Sequence, residues 1–276
     1  MSRPPTERRT VRRVTGHDRA RTIVPRPDEL IVEEPLSILL DGTRVSTTMR
    51  TPGHDEELAV GFCLSEGLLA GTPVIGVRAF AEDDGASTGT GPTDTTAVDV
   101  ETGGRAPTPT PRLGNVSSSC GWCGSEHIDE MYGRLAPLVD SEPFDLEVIG
   151  AVAERALGAQ GLFAATGAVH AAVVFDRAGS VLLAREDVGR HNAVDKVVGA
   201  LALGDGRVVA LPATGFGLFV SGRASIEMVQ KAWAAGFSAV VSVSAPTVLA
   251  VDAARRANLF LAGFVRGDGF NVYAPE

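Results

Sequence analysis

Alternation of apolar and polar residues in the first third of the chain predicts a hairpin followed by a helix. Residues 36–40 and 43–49 flank the pair Asp41-Gly42, which readily adopts the positive φ of a tight turn, so we predict a β-hairpin. Residues 55–70 place apolar side chains on one face and acidic side chains in the first turn, which predicts a helix. These elements indicate a small N-terminal α+β unit.

The second half of the chain shows a longer alternation of helical and strand patterns. We predict, in chain order, helices at 125–135 and 145–157, strands at 169–175 and 181–185, a helix at 190–203, a strand at 208–212, a helix at 225–235, a strand at 239–244, a helix at 247–257, and strands at 259–265 and 270–273. Strands that alternate with helices predict a three-layer α/β domain with helices on both faces of one sheet. The sheet is predicted to be mixed, because its first two strands form a hairpin.

Changes in composition set the predicted domain boundaries. Residues 1–29 form an arginine-rich tail with few apolar residues, which predicts disorder. Residues 30–118 form the predicted N-terminal α+β domain, and residues 119–276 form the predicted C-terminal α/β domain. Residues 82–112 are rich in Gly, Thr, Pro and Asp, so we predict a flexible insertion there with a single strand near 97–100.

Composition and charge exclude several classes of protein. The chain has 276 residues and a net charge of −9, which argues against nonspecific binding to nucleic acid. No apolar run approaches the roughly 18 residues that cross a bilayer, and the arginine-rich start lacks the apolar core of a secretory signal. Three cysteines are too few for a disulfide framework, so a reducing, cytoplasmic location is expected.

The most specific local motif is SSSCGWCG, which contains Cys120 and Cys123. Such a pair serves metal binding, thiol–disulfide exchange or sulfur carriage. A zinc site lacks further ligands nearby, since Cys63 lies in a distant helix and is assigned no function. A thioredoxin-like pair would follow a strand rather than a run of serines. The helix predicted from Ser125 would stabilise a thiolate, which favours a reactive sulfur, while structural zinc, exchange chemistry and a buried pair of thiols stay open.

A second cluster of polar residues lies in EDVGRHNAVDK at 186–196. Asp187, His191 and Asp195 recur every four residues, which places them on one face of a helix. Arg190 has the charge to face a phosphate. The alternative is the start of a helix that is capped and stabilised by ion pairs.

Two further segments have weaker signals for anion binding. Residues 221–225, with Arg223, precede a predicted helix whose free N–H groups suit an anion. The turn at 264–269 follows a strand, at the end of the sheet where open α/β proteins bind ligands, and Arg266 adds a positive charge there. The Gly-Asp-Gly sequence at 267–269 fits a simple hairpin turn equally well. His170 lies in an apolar strand and is interpreted as a core histidine.

Taken together, these segments resemble the formate dehydrogenase accessory sulfurtransferases, the FdhD family. The resemblance covers the chain from about residue 30 to the end. It rests on ELAVGFCLSEGLL at 57–69, SCGWCG at 119–124, TGAVHAA at 166–172, EDVGRHNAVDK at 186–196, SGRASIEMVQKA at 221–232, VSAPTVLAVDAA at 243–254 and AGFVRGDGFNVY at 262–273.

The resemblance implies a sulfur carrier that acts on a molybdenum cofactor. A cysteine desulfurase would load the carrier, which would pass the sulfur to the bis-molybdopterin guanine dinucleotide cofactor of formate dehydrogenase, the client enzyme. The persulfide cysteine of the family falls on Cys120, and Cys123 matches the second, auxiliary cysteine. The cofactor-binding stretch of the family falls on Phe264, Val265, Arg266, Gly267, Asp268 and Gly269.

The resemblance also implies a fold and an assembly. The C-terminal domain is expected to be cytidine deaminase-like, and the chain is expected to form a homodimer, with no membrane or nucleic-acid partner. No metal is expected to be held by the protein itself, because Ala171 and Ala172 follow His170 where a zinc deaminase needs a His-x-Glu motif. Two other functions stay open: a thiol–disulfide oxidoreductase and a non-catalytic chaperone that binds the cofactor.

Overall fold

The structure is a computed structural model that describes residues 3–16, 21–83, 94–108, 132–139, 142–204, 209–267 and 269–275. The strands are β1 (Thr6–Thr15), β2 (Thr22–Ile31), β3 (Glu34–Leu40), β4 (Thr43–Arg50), β5 (Gly76–Asp83), β6 (Asp94–Glu101), β7 (His170–Phe175), β8 (Val181–Asp187), β9 (Gly217–Val220), β10 (Ala239–Ser242), β11 (Phe260–Arg266) and β12 (Gly269–Ala274). The helices are α1 (Asp55–Ser65), α2 (Leu146–Leu157), α3 (Gly161–Thr166), α4 (Arg190–Ala202), α5 (Ile226–Ala234) and α6 (Val248–Ala257).

A six-stranded mixed sheet in the order β12-β11-β10-β9-β7-β8 forms the centre of the C-terminal half. Strands β9, β10 and β11 are parallel, whereas β7, β8 and β12 pair with their neighbours in antiparallel fashion. Ala172 and Val174 face a core made with α4, α5 and α6, while Val173 and Phe175 face a core made with α2. Helices therefore cover both faces, and the predicted mixed α/β class is confirmed.

A four-stranded sheet in the order β4-β3-β6-β5 packs against α1 in the N-terminal half. Strand β6 is an inner strand, parallel to β3 and antiparallel to β5, with Val98 and Val100 fully buried. This differs from the flexible insertion predicted over 82–112. The single strand predicted near 97–100 is present as the longer β6, whereas its central place in the sheet and its partner β5 were not predicted, because the bias towards Gly and Thr leaves few apolar positions in this window.

The arginine-rich start also differs from its predicted disorder, because β1 and β2 pair with each other over ten residues in an antiparallel hairpin. β-Branched Val and Thr residues between the arginines favour a strand. Acidic residues at the base of the hairpin neutralise part of the charge: Arg3 contacts Glu34 at 2.9 Å and Glu7 at 2.8 Å. Counting charged residues alone therefore missed the element.

In the larger sheet, one predicted strand is wrong and one strand was missed. Residues 209–212 are not a strand; Pro212 has no N–H to donate to a sheet. The sheet instead contains β9. Its Gly217 packs directly against the Phe175 ring, since an added Cβ would lie 2.0 Å from the Phe175 Cζ. The short helix α3 was also missed, and α1 ends at Ser65 rather than at residue 70. The remaining predicted elements from 36–49 and 145–273 are present within a few residues of their predicted bounds.

Candidate functional site

A cavity of about 750 Å³ lies at the carboxyl edge of the six-stranded sheet. Strands β9, β10 and β11 are parallel, so the residues that follow them, among them Ser221 and Val243, meet at this edge with Arg266 and Gly267. Helix α2 closes the other side and contributes Glu154. A crevice of this kind is where open α/β sheets bind ligands, and its size suits a ligand of nucleotide size.

The turn predicted to bind the cofactor reaches this cavity. Val265, Arg266 and Gly267 line it, and the Arg266 Nε donates a hydrogen bond to the Val243 carbonyl at 3.1 Å. Phe264 has a φ of 57°, a left-handed conformation that is costly for a bulky residue, and its side chain is 45% exposed. Asp268 lies outside the described residues, and Gly269 is exposed at the start of β12. The strained, exposed segment suits a binding turn.

His170 also lines the cavity, which differs from its interpretation as a core histidine. Its Nδ1 lies 3.4 Å from the Ser221 Oγ, and that oxygen accepts a hydrogen bond from the Ala171 N–H at 2.8 Å. Burial lowers the pKa of His170, the charge of Arg190 lowers it further, and Asp187 opposes both effects. The ring is therefore held towards its neutral form. The apolar pattern of a strand does not show whether a residue at its end faces the core or a cavity.

The 186–196 motif is largely structural. Asp187 is fully buried, contacts the Lys196 Nζ at 2.7 Å, and accepts hydrogen bonds from the N–H groups of Gly189 and Thr51. Asn192 donates to the same carboxylate at 2.9 Å. These bonds fix the start of α4 and attach it to the loop after β4. The motif therefore matches the second interpretation, a helix start that is capped and stabilised by ion pairs.

Of the predicted common face, His191 and Asp195 lie one turn apart on α4 and both contact α5, whereas Asp187 does not belong to it. Asp195 accepts hydrogen bonds from the Lys231 Nζ at 2.8 and 2.9 Å and from Ser65 at 2.6 Å. His191 lies 4.0 Å from Glu227. Asp187 precedes the helix, so the spacing of four residues does not apply to it.

Helix α1 crosses α4 in very close contact, an interface that the sequence analysis did not predict. A Cβ on Gly61 would lie 1.8 Å from the Asp195 carbonyl oxygen, and one on Gly199 would lie 1.8 Å from the Glu57 carbonyl oxygen. Beside the crossing, Lys231 is buried; burial alone would lower its pKa, but Asp195 and Glu66 outweigh this and raise it, so the ammonium stays charged. Glycines at helical positions were the available signal.

Cys63 lies on α1 in the core beneath the four-stranded sheet and is fully buried. Burial, with Asp195, Asp99 and Glu66 nearby, raises the pKa of its thiol to about 12. A thiol with this pKa is protonated at neutral pH and is a poor nucleophile. The structure thus supports the assignment of no chemical function to Cys63.

Glu57 links α1 to β8 and makes the stability of the protein sensitive to acid. Burial alone would raise its pKa, but hydrogen bonds from Arg185 at 2.5 and 2.7 Å and from His54 lower it to about 2. A lowered pKa in the folded state stabilises the fold above the ordinary pKa of glutamate and loses this effect as the pH falls towards 2. We therefore expect Glu57→Gln to be less stable than the wild type at pH 7 and less sensitive to pH between about 4.5 and 2.

Urea unfolding at a series of pH values measures this effect. Glu56→Gln is the matched control, because Glu56 neighbours Glu57 but is exposed. It should follow the wild-type pH profile. Equal acid sensitivity in Glu57→Gln and the wild type would contradict the assignment.

Cys120 and Cys123, together with the rest of 109–131, lie outside the described residues. Among the described residues, no three His, Cys, Asp or Glu side chains are grouped as ligands for a metal ion. Within the same ranges, no helix is long and apolar enough to cross a bilayer.

The fold and cavity define a mixed α/β protein with a ligand-binding crevice at the carboxyl edge of its larger sheet. The chain belongs to the FdhD/NarQ family, whose profile matches residues 31–276. This confirms the family resemblance found in the sequence.

Curated relatives extend over nearly the whole chain. The "Sulfur carrier protein FdhD" of Anaeromyxobacter dehalogenans strain 2CP-C is 46% identical over 90% of this chain and 87% of that protein. Its namesake in Streptomyces avermitilis is 42% identical over 98% of this chain and 94% of that protein. A solved structure described as a formate dehydrogenase accessory protein of Desulfotalea psychrophila covers 98% of this chain and 97% of its own, with a TM-score of 0.71. Its sequence is 23% identical, so it shows a shared fold.

Proposed function

We propose that this chain is a sulfur carrier for the assembly of formate dehydrogenase. Support comes from the sulfur-carrier name of its curated relatives and from the motif that contains Cys120 and Cys123. The observation that carries the proposal is the cavity at the carboxyl edge of the sheet, lined by Arg266 and Gly267, in a chain that also has this thiol pair. A binding crevice and a reactive thiol together suit delivery of sulfur to a bound acceptor.

The proposed loading step transfers one sulfur atom without a separate oxidant. The Cys120 thiolate attacks the terminal sulfur of a persulfide on a cysteine desulfurase. A new S–S bond forms on Cys120 as the donor's S–S bond breaks, and the donor cysteine leaves as a thiolate. Cys123 is proposed to be auxiliary. The chemistry needs a thiolate at neutral pH, which Cys63 cannot supply because its pKa is raised to about 12.

The proposed acceptor is the bis-molybdopterin guanine dinucleotide cofactor, bound as cargo. The residues at the cavity fit one nucleotide end of it: Arg266 provides a cation, and Gly267, with a φ of 56°, leaves the main chain open to approach. The volume of about 750 Å³ suits such an end better than the complete cofactor. The 264–269 turn is therefore proposed to hold the guanine nucleotide.

Four broader statements belong to the same proposal. The larger sheet, with helices on both faces, is proposed to be cytidine deaminase-like, and the chain is proposed to act as a homodimer. Its proposed place is the cytoplasm, where a thiol carrier stays reduced. The two domains divide near residue 118, with the CxxC segment at the start of the second.

Replacing Arg266 by alanine is expected to weaken the binding of GDP by about tenfold or more, since a hydrogen bond to a charged group contributes roughly 1.5–3 kcal/mol. Isothermal titration calorimetry gives the affinity. Arg255→Ala is the matched control: its Nε also donates to a main-chain carbonyl, that of Tyr273, but it lies away from the cavity. Equal GDP affinity in Arg266→Ala and the wild type would remove the nucleotide from this turn.

A further inference from the structure

The β1–β2 hairpin forms a sheet of its own, and among the described strands neither β1 nor β2 pairs with any other. Helix α3 lies beside β2. Strand β1 is exposed at seven of its ten residues. A two-stranded hairpin is only marginally stable in water, so a further strand that pairs with it would stabilise it.

Two prolines close the outer edge of β2, the edge that faces away from β1. The pairing of the two strands is unbroken from Thr22 to Ile31, and Pro25 and Pro27 lie within it. A proline has no N–H, so in an unbroken antiparallel ladder its nitrogen points away from the partner strand. The hydrogen bond from the Val32 N–H to the Pro5 carbonyl at 2.8 Å agrees, because it continues the ladder with an even-numbered residue turned towards β1. The outer edge of β2 therefore lacks two donors that another strand would need.

The outer edge of β1 has no such block. Opposed residues of an antiparallel pair turn their main-chain groups in the same sense, either towards each other or both outward. Thr10 lies opposite Pro27, so its N–H and C=O groups point outward. The alternation along a strand gives the same orientation to four further residues of β1: Thr6, Arg8, Arg12 and Val14. Among the described residues, these outward main-chain groups have no hydrogen-bond partner.

Arginines flank this open edge on both faces of the hairpin. Successive side chains of a strand alternate, so Arg8 and Arg12 lie on one face, and Arg9 and Arg13 lie on the other. Glu7 is the only acidic residue of β1, and its carboxylate contacts the Arg9 Nε at 2.7 Å. Arg8, Arg12 and Arg13 have no ion pair with another described residue. A carboxylate on either face of an added strand would therefore meet one of these arginines.

A second copy of β1 does not suit this edge. Two-fold pairing about the middle of the strand would set Arg9 opposite Arg12 and Arg8 opposite Arg13. Like charges directly opposite each other destabilise a strand pair. Nucleic acid has no row of main-chain groups for the edge, and the net charge of −9 on the chain repels its phosphates. The edge therefore favours an extended protein segment with acidic side chains.

We propose that the outer edge of β1 binds an acidic, extended segment of a partner protein, which joins the hairpin as a third strand. Main-chain hydrogen bonds between Thr6 and Val14 supply affinity, and the arginines select acidic side chains. The inference does not depend on the proposed function, because no residue of the crevice takes part in it.

A fluorescent peptide as long as β1, in which glutamate and valine alternate, is the probe for this edge. Fluorescence anisotropy at low ionic strength measures its binding to the full-length protein. Thr10→Pro should weaken binding by about tenfold, because the ring removes an outward N–H and obstructs the edge while the ladder with β2 remains intact. Ile23→Pro is the matched control: the Ile23 N–H also points outward, but on the edge that Pro25 and Pro27 already close. It should bind the peptide as the wild type does.

The charges are tested by combining Arg8→Gln with Arg12→Gln, since both side chains are exposed and their loss leaves the main chain of β1 unchanged. This variant should bind the peptide several-fold more weakly and with a smaller dependence on salt. Arg8→Lys combined with Arg12→Lys should keep most of the affinity, because it keeps the charge. These variants do not alter the ladder, so they test the edge even if Thr10→Pro loses the hairpin.

Equal affinity of the peptide for Thr10→Pro and Ile23→Pro, or no binding to the wild type, would overturn the proposal. Sedimentation of the same two variants tests a second copy as the occupant: a smaller mass in Thr10→Pro alone would assign the edge to a dimer. Tighter binding of an oligothymidylate than of the peptide would assign the edge to nucleic acid. Either result would also overturn the acidic segment.

Discussion

Cys120→Ala should abolish the activation of formate dehydrogenase while the protein keeps its fold and its affinity for GDP. The reason is that the proposed loading step requires a thiolate at Cys120, and the chain has only two other cysteines. Cys63 is buried, with a pKa raised to about 12, so it cannot replace the missing nucleophile. The measurement is formate dehydrogenase activity in a strain that lacks its own accessory protein and expresses the variant.

Mass spectrometry gives a second, direct readout of the same prediction. After incubation with a cysteine desulfurase and cysteine, the wild-type peptide containing Cys120 should gain one sulfur, about 32 Da, as a persulfide. Cys63→Ala is the control and should gain the same mass. A persulfide on Cys63, or an active formate dehydrogenase with Cys120→Ala, would refute the assignment.

Cys123→Ala distinguishes the carrier from the alternatives that the sequence left open. A carrier that uses Cys120 alone should retain a large part of its activity in this variant. A thiol–disulfide oxidoreductase needs both cysteines, so it would lose activity equally in either variant. A chaperone that only binds the cofactor would tolerate the loss of both.

Gly61→Ala should destabilise the whole protein by about 3 kcal/mol, the upper part of the range for overpacking a tight interface. Its added Cβ would lie 1.8 Å from the Asp195 carbonyl oxygen, and main-chain atoms at that position have no side-chain rotamer by which to move away. Helices α1 and α4 must then separate, which also stretches the buried bonds between Ser65, Asp195 and Lys231.

Thermal unfolding measures this second effect. For a chain of this size, about 3 kcal/mol corresponds to a fall in Tm of roughly 6–12 °C. Gly161→Ala is the matched control, because it is also helical but has no atom within 4 Å of its added Cβ. A Tm of Gly61→Ala equal to that of Gly161→Ala would show that the two helices can separate at little cost.

The sequence predicted the larger sheet well because its signals are local. The runs that became β7, β10 and β11 are apolar, and α2 and α6 begin at good N-caps: Asp145 accepts from the Glu147 N–H and Thr247 from the Ala250 N–H. Strand β9 was missed because four residues between glycines give no periodicity, and its place in the sheet is decided by pairing with β7 and β10.

The candidate site was predicted less completely, because it depends on contacts between distant segments. The turn that the family resemblance singled out lines the cavity with Val265, Arg266 and Gly267, whereas His170 was interpreted as a core residue from its apolar neighbours. The buried pair of Asp195 and Lys231 was invisible to spacing arguments, since the residues are 36 positions apart and belong to different helices. Only the packing of three helices brings them together.

Hydrogen bonds from Val188 and Lys196 to Thr51 connect the C-terminal half of the chain to the N-terminal half. The Thr51 Oγ1 accepts from the Val188 N–H at 3.0 Å, and its carbonyl accepts from Lys196 at 2.9 Å, while Val188 is part of the cavity wall. A residue in the loop between β4 and α1 thus supports this wall of the cavity. Cutting the chain between the halves, or grafting the larger sheet onto another protein, would remove this support. The binding crevice therefore requires the N-terminal unit and is not a separable module.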